Sequence, residues 1–294
     1  MATDEIALSP IRACLFDMDG LLINSEDLYT QVTNTILREL DRPMLPWSIK
    51  AKLQGRPAHF SLELFMQWAN LPISTSEWRA RSAALQRELF PSSAPLPGVT
   101  NLLQTLLAAG VEIAVATSSN SSNYAYKTSH LQKELFDFFP PGQIIKGDDP
   151  RIPHGRGKPA PDIYLLALET INARRRAEGK DEIEPRETLV FEDSVPGVEA
   201  GRRAGMGVVW VPHEGLLGEY NGREEEVLAG LCQEYVEGEI MGGKPGVLGD
   251  GWGELRSTLV GFDYERYGIK PRSGMGGEEL DEHAIGNGIY HLTS

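Results

Sequence analysis

The chain is expected to adopt an α/β fold, a doubly wound parallel sheet with an α-helical cap inserted after its first strand. Three observations predict this. Apolar runs at 11–16, 111–116, 188–191 and 207–211 alternate with helical periodicities at 99–109, 162–177 and 195–204, the pattern of a parallel sheet covered on both faces. Residues 22–90 carry helical patterns and no convincing strand. Three of the apolar runs end in small polar or acidic residues: Asp17 and Asp19, Thr117 and Ser118, Glu192 and Asp193. In a parallel sheet those ends share one edge, the edge at which open α/β sheets bind ligands.

Taken in order, Ile11-Arg12-Ala13-Cys14-Leu15-Phe16 is a buried strand driving into Asp17-Met18-Asp19-Gly20, where glycine closes the turn. Helices are then expected over 26–40, 48–53, 59–69 and 76–90, the last begun by Ser74-Thr75-Ser76-Glu77, with Pro43 and Pro46 as breakers. The stretch 91–98, five of its eight residues proline or serine, reads as a hinge. Gly110 ends the helix 99–109, the strand 111–116 follows, and Ile144-Ile145 is a short strand candidate. These elements divide the chain into a core of 8–21 and 96–213, a helical cap of 22–95, and a C-terminal extension of 214–294. The extension is expected to be loose over 220–252, with 255–269 apolar and aromatic enough to dock on the core.

The 294 residues carry a net charge of −14, which argues against nucleic-acid or anionic-membrane binding. The charge is uneven: 214–294 contains 16 acids against 6 basic residues and 18 of the 31 glycines. Glu224-Glu225-Glu226 reads as a solvated face. Cys14 and Cys232, the two cysteines, make no disulfide or zinc pattern. With no apolar run of membrane length, the expectation is a cytoplasmic protein with no membrane partner, a monomer being favoured.

Paired acids at a strand end repel one another unless a cation or shared proton compensates. Asp17, Asp19, Glu192 and Asp193 together suit a hard divalent cation with oxygen ligands, Mg²⁺ fitting best. The Thr117 hydroxyl and the backbone amides after it are placed to hold an anion, and Lys158, in Gly157-Lys158-Pro159-Ala160-Pro161-Asp162, can neutralise it. Metal, hydroxyl, lysine and carboxylate nucleophile are what phosphoryl transfer needs.

The ordered set Asp17-Met18-Asp19-Gly20, Val115-Ala116-Thr117-Ser118, Lys158-Pro159-Ala160-Pro161-Asp162 and Phe191-Glu192-Asp193-Ser194 resembles the motifs of haloacid dehalogenase superfamily phosphatases. Lys127-Thr128-Ser129-His130 and Gly147-Asp148-Asp149-Pro150 are similar to their pseudouridine-5′-phosphatase-like subgroup. The resemblance implies a Mg²⁺-dependent phosphomonoesterase acting on a small phosphorylated metabolite through an aspartyl-phosphate. Asp17 would be the nucleophile and Asp19 the acid/base. Thr117, Ser118 and Lys158 would hold the phosphoryl oxygens. Asp17, the Asp19 carbonyl, Asp193 and Glu192 would serve the metal, with Glu192 a ligand or a partner behind one. Gln54 and Arg56, on a cap loop that relatives aim at the substrate, would set specificity. A phosphosugar mutase, which has histidine where this chain has Tyr29, and a non-catalytic binding protein are the alternatives.

Overall fold

The computed structural model describes residues 10–55, 58–232 and 242–270. Its centre is β1 (Ala13–Phe16), flanked by β2 (Glu112–Ala116) and β3 (Ile144–Ile145) on one side and by β4 (Thr188–Glu192), β5 (Gly207–Trp210) and β6 (Gly253–Leu255) on the other. The order is β3-β2-β1-β4-β5-β6, and every pairing is parallel. The chain leaves β1 toward β2 and later returns to β4 on its other side. The strand order therefore reverses beside β1, the place where such sheets form a crevice.

Alternate residues of each strand feed two cores, as the two-residue strand period requires. Cys14, Phe16, Ile113, Val115, Leu189 and Phe191 face one way, against Leu102, Leu103 and Leu106 of α5 (Val99–Ala108). Ala13, Leu15, Ala114, Val190 and Val208 face the other, against α7 (Asp162–Ala177) and α8 (Val195–Arg203). Between β2 and β3 runs α6 (Ser121–Thr128), whose first amide is held by the Asp148 carboxylate at 3.0 Å and whose N-cap is Asn120. This helix had no clear apolar period in the sequence.

Helices α1 (Ser25–Glu39), α2 (Trp47–Leu53), α3 (Ala58–Ala69) and α4 (Thr75–Leu89) enclose a small core of their own from Val32, Ile36, Leu37, Phe65, Ala69 and Trp78. The expected cap at Ser74 is present, its side chain accepting from the Glu77 amide. Two linkers tie this block to the sheet, and they run antiparallel. Asn24 N–H donates to Ala94 O at 3.0 Å, Ala94 N–H to Asn24 Oδ1 at 2.8 Å, and Leu96 N–H to Leu22 O at 3.0 Å.

Within 220–252, the stretch expected to be loose, the described residues carry packed structure. Helices α9 (Glu214–Glu219) and α10 (Glu224–Leu228) form, and Val227 and Leu228 enter the second core. Arg202, buried on α8, pairs with Asp250, and its guanidinium lies 5.8 Å from the Trp252 ring centre. Strand β6 then extends the sheet. The apolar residues here are too widely spaced to show a period, yet each lands on a surface that α8 and β5 leave open. Leu259, Phe262, Tyr267 and Ile269 pack in the first core, and Tyr267 O accepts from Ile11 N–H at 3.0 Å. Glu224, Glu225 and Glu226 stay at the surface.

Candidate active site

All three strand ends named from sequence open on one crevice. Asp17 follows the last residue of β1, and its amide donates to Phe191 O on β4 at 3.0 Å. That registers it against Glu192 and Asp193. Carboxylate oxygens of Asp17, Glu192 and Asp193 lie within 4.8 Å of one another, and all three residues are buried. Gly20 turns the chain at φ 79°, and a Cβ there would meet Asp193 Oδ2 at 2.1 Å. At Gly197 a Cβ would stand 1.7 Å from Glu192 Oε1. The glycines after the first and last motifs therefore make room for these carboxylates.

Lys158 is the counter-charge. It is 1 % exposed, contacts Asp17 Oδ1, donates to Glu192 Oε1 at 2.6 Å and to Ala116 O at 3.0 Å. Glu192 also accepts from Tyr164 Oη at 2.7 Å and from the Ser194 amide and hydroxyl, each at 3.0 Å. A carboxylate offers about four acceptor positions, so those of Glu192 are filled. These bonds tie Glu192 to Lys158, Tyr164 and Ser194. Burial pushes the Asp17 carboxyl up to about 7, Lys158 opposing and the neighbouring acids reinforcing the shift. Burial and the charges of Glu192 and Asp17 raise Asp193 well above the carboxylate range. Three carboxylates against one ammonium leave two negative charges uncompensated, and every donor is a hard oxygen. The residues fit a divalent cation.

Asp19 does not join this cluster. Of the four acids expected together, the carboxylates of Asp17, Glu192 and Asp193 gather, and that of Asp19 faces elsewhere. The strand ends at Phe16, so the two-residue alternation lapses and Asp19 sits on the following turn, bridged to Ile23. Its carboxylate contacts Ser25 and Lys127 through Oδ1 and accepts from Ser119 Oγ at 2.7 Å through Oδ2. Thr117 Oγ1 is 3.5 Å from the same oxygen and accepts from the Ser119 amide at 3.1 Å. Burial alone would raise the Asp19 carboxyl, but Lys127 and the two hydroxyls hold it below its ordinary value. Ser118, between Thr117 and Ser119, is exposed.

Gln54 is also placed differently from expectation. Its amide donates to Asp193 Oδ2 at 2.5 Å, and its Oε1 is buried without a partner. The cap loop thus touches the cation side of the site through Gln54. Arg56 lies outside the described residues. Above α1, a cavity of about 630 Å³ is lined by Tyr29, Leu53, Phe65, Trp78 and Arg79 of the helical block and by Asn123 of α6.

Sequence reasoning did not assign Lys127, Ser119, Ser25 or Tyr164. The available signals were the Thr117-Ser118-Ser119 run and the Lys127-Thr128-Ser129-His130 segment, neither of which carried a role for these side chains.

The haloacid dehalogenase-like hydrolase family model matches residues 11–205. The chain belongs to this family. It is 39% identical over 259 residues to a probable pseudouridine-5′-phosphatase of Saccharomyces cerevisiae, covering 88% of this chain and 98% of that one. It is 36% identical over 223 residues to (DL)-glycerol-3-phosphatase 1, mitochondrial, of Arabidopsis thaliana, covering 75% and 70%. A solved structure described as a putative beta-phosphoglucomutase from Thermotoga maritima aligns at TM-score 0.52 with 27% identity, over 74% of this chain and 97% of that one. The chain is a phosphoric monoester hydrolase; phosphatases of this superfamily use a divalent metal, and a cluster of three carboxylates is present here. No helix among the described residues is long and apolar enough to cross a membrane.

Proposed function

We propose that this hydrolase removes phosphate from a small phosphorylated metabolite by way of an aspartyl-phosphate on Asp17, with Mg²⁺ as its cation. The observation that carries the reading is the pairing of two acids two residues apart in unlike settings. Asp17 sits among carboxylates with Lys158, while Asp19 is turned to a separate set of donors. This contrast supports attack by one acid and proton transfer by the other.

Asp19, ionised beside Lys127, first takes the proton of the bound phosphate monoanion; as an Asp17 oxygen bonds to phosphorus, the ester P–O bond breaks and Asp19 gives that proton to the leaving oxygen. Asp19, now ionised, takes a proton from the water that cleaves the acyl phosphate and returns Asp17 to its carboxylate form. Lys158 and the Thr117 hydroxyl, with the amides after it, hold the phosphoryl oxygens. Asp17, Asp193 and the Asp19 carbonyl would hold Mg²⁺, which when bound supplies positive charge to the phosphoryl group. Glu192 keeps Lys158 in place. Ser118, exposed, would contribute through its backbone.

The leaving alcohol belongs to a nucleoside, sugar or polyol. Pseudouridine 5′-phosphate is our first choice, supported by the named yeast relative. Arg56 remains our candidate for a second substrate contact, and Arg56→Ala would then reorder substrate preference more than it alters hydrolysis of a small artificial ester.

A panel of metabolite monophosphates assayed with Mg²⁺ tests the proposal. Wild type should release phosphate from at least one nucleoside, sugar or polyol ester, and Asp17→Asn should release none. Turnover by folded Asp17→Asn at near the wild-type rate would refute it.

A further inference from the structure

The segment Lys127-Thr128-Ser129-His130 has no part in the mechanism above, yet its lysine is fully buried at the site. Lys127 stands in the last turn of α6 and is 0 % exposed. A buried ammonium is costly unless it is paired and hydrogen-bonded. Here all three donors are used: Nζ contacts Asp19 Oδ1, donates to Ser119 Oγ at 2.6 Å and reaches Tyr29 Oη at 3.3 Å. The rings of Tyr29 and Phe90 flank it, their centres 5.1 and 5.4 Å away.

The helix end that carries it is itself anchored. Ser93 Oγ donates to Lys127 O at 2.6 Å, and His130 Nε2 lies 2.7 Å from Ser93 O. The segment is thus stitched to the second linker of the helical block. Asp19, on a turn, has no strand pairing to fix its side chain, so its direction depends on Ser25, Ser119 and Lys127, which converge from three different elements. A compact ammonium with three rotatable donors suits that junction, whereas a planar guanidinium would not meet all three acceptors.

We propose that Lys127 is a positioning residue for the acid/base step, its ammonium and the Ser119 hydroxyl holding the Asp19 carboxyl group toward the leaving ester oxygen. This rests on the reading of Asp19 as acid/base. Tyr29 both touches Lys127 and lines the cavity of the helical block.

The consequence is a dependence on leaving group. When the P–O bond breaks, its electron pair goes to the leaving oxygen. An alkoxide needs the Asp19 proton, and a nitrophenolate leaves as a stable anion without it. The ratio kcat/KM covers every step up to alcohol release, whereas kcat also contains hydrolysis of the aspartyl-phosphate, which is common to all substrates.

The test compares kcat/KM for the best alkyl phosphate of the panel with that for p-nitrophenyl phosphate, both with Mg²⁺. Asp19→Asn is the reference and should lose far more on the alkyl ester. Lys127→Met should lose about 10²-fold on the alkyl ester, the usual cost of a misplaced catalytic group, and only a few-fold on the aryl ester. Lys127→Arg, with the charge kept, should recover part of that loss. Ser119→Ala keeps charge and volume, should fold whatever the lysine variants do, and should show the same selectivity at about tenfold. The double variant Lys127→Met/Asp19→Asn should be no worse than Asp19→Asn alone. Equal losses on both esters in Lys127→Met and Ser119→Ala, with Asp19→Asn still discriminating, would overturn the role of Lys127. Failure of Asp19→Asn to discriminate would instead overturn the acid/base reading, and the inference with it.

Discussion

Replacing Lys158 with methionine keeps the length of the side chain and removes the charge on which the acidic cluster depends. Without it, Asp17, Glu192 and Asp193 stand within 4.8 Å of one another in buried surroundings. At an effective dielectric of about 20, two unit charges at that separation repel by about 3.5 kcal/mol. The carboxylates would relieve part of this by taking up protons. Removing one partner of a buried ion pair costs about 3–5 kcal/mol, and for a chain of this size each kcal/mol moves Tm by about 2–4 °C. Metal-free Lys158→Met should therefore melt about 6–20 °C below wild type. Mg²⁺ should raise Tm by more in the variant than in wild type, because the cation then meets one more unbalanced negative charge. Calorimetry with chelator and with saturating Mg²⁺ measures both. Adding Glu192→Gln to Lys158→Met should cost less than Glu192→Gln alone, since the glutamate then has no lysine to lose. A metal-free shift under about 2 °C, or an equal response to Mg²⁺ in the two proteins, would show that the lysine does not balance this cluster.

Asp193→Asn should raise the metal-free Tm at pH 8, because it removes a carboxylate held unfavourably by burial and like charges, and it should abolish the thermal response to Mg²⁺. A drop in metal-free Tm would contradict that account. Metal-free stability should also depend on pH. The Asp17 carboxyl lies at about 7 in the fold against 3.8 ordinarily, so the folded state binds more protons, and stability falls as pH rises from about 4 through about 7. Urea titrations across that range would check the sign, and a rising metal-free stability would refute it. Deleting 224–249 should lower Tm, because Val227 and Leu228 are lost from the second core. Ending the chain at 253 should lower it further by exposing the pockets of Leu259, Phe262, Tyr267 and Ile269. Melting of the internal deletion at the wild-type temperature would show that α10 contributes nothing.

The parts of this molecule legible from sequence are those set by short-range rules. The strands at Ala13–Phe16 and Thr188–Glu192 are continuous apolar runs, which fully buried parallel strands require. Gly110, Ser74 and the prolines mark ends for local conformational reasons. The residues around Asp17 were legible because the end of each strand reaches the same edge. Where a side chain turns after its strand has ended was not legible, and Asp19 is the case in point. Its direction is decided by Ser25, Ser119 and Lys127, which lie 6, 100 and 108 residues away. Strand β6 was hidden for a related reason. Gly253-Glu254-Leu255 has little strand character of its own and pairs because β5 offers an unpaired edge.

That division bears on how substrate choice and chemistry are joined. The groups that would meet phosphate, Asp17, Thr117 and Lys158, lie on the sheet edge and owe their positions to β1, β2 and the loop before α7. The lining of the cavity comes mostly from α1, α3 and α4. If nothing crossed between them, the helical block would select substrates without affecting the reaction at phosphorus. Contacts do cross, among them Gln54 to Asp193, Ser25 to Asp19, and Tyr29 to Lys127. Each of these falls on a carboxylate of the site or on the lysine that holds one. Seating of the helical block therefore completes the surroundings of both the cation side and the proton-transfer side. A substrate that favours this seating gains in turnover as well as in binding, so truncated esters should lose kcat along with affinity.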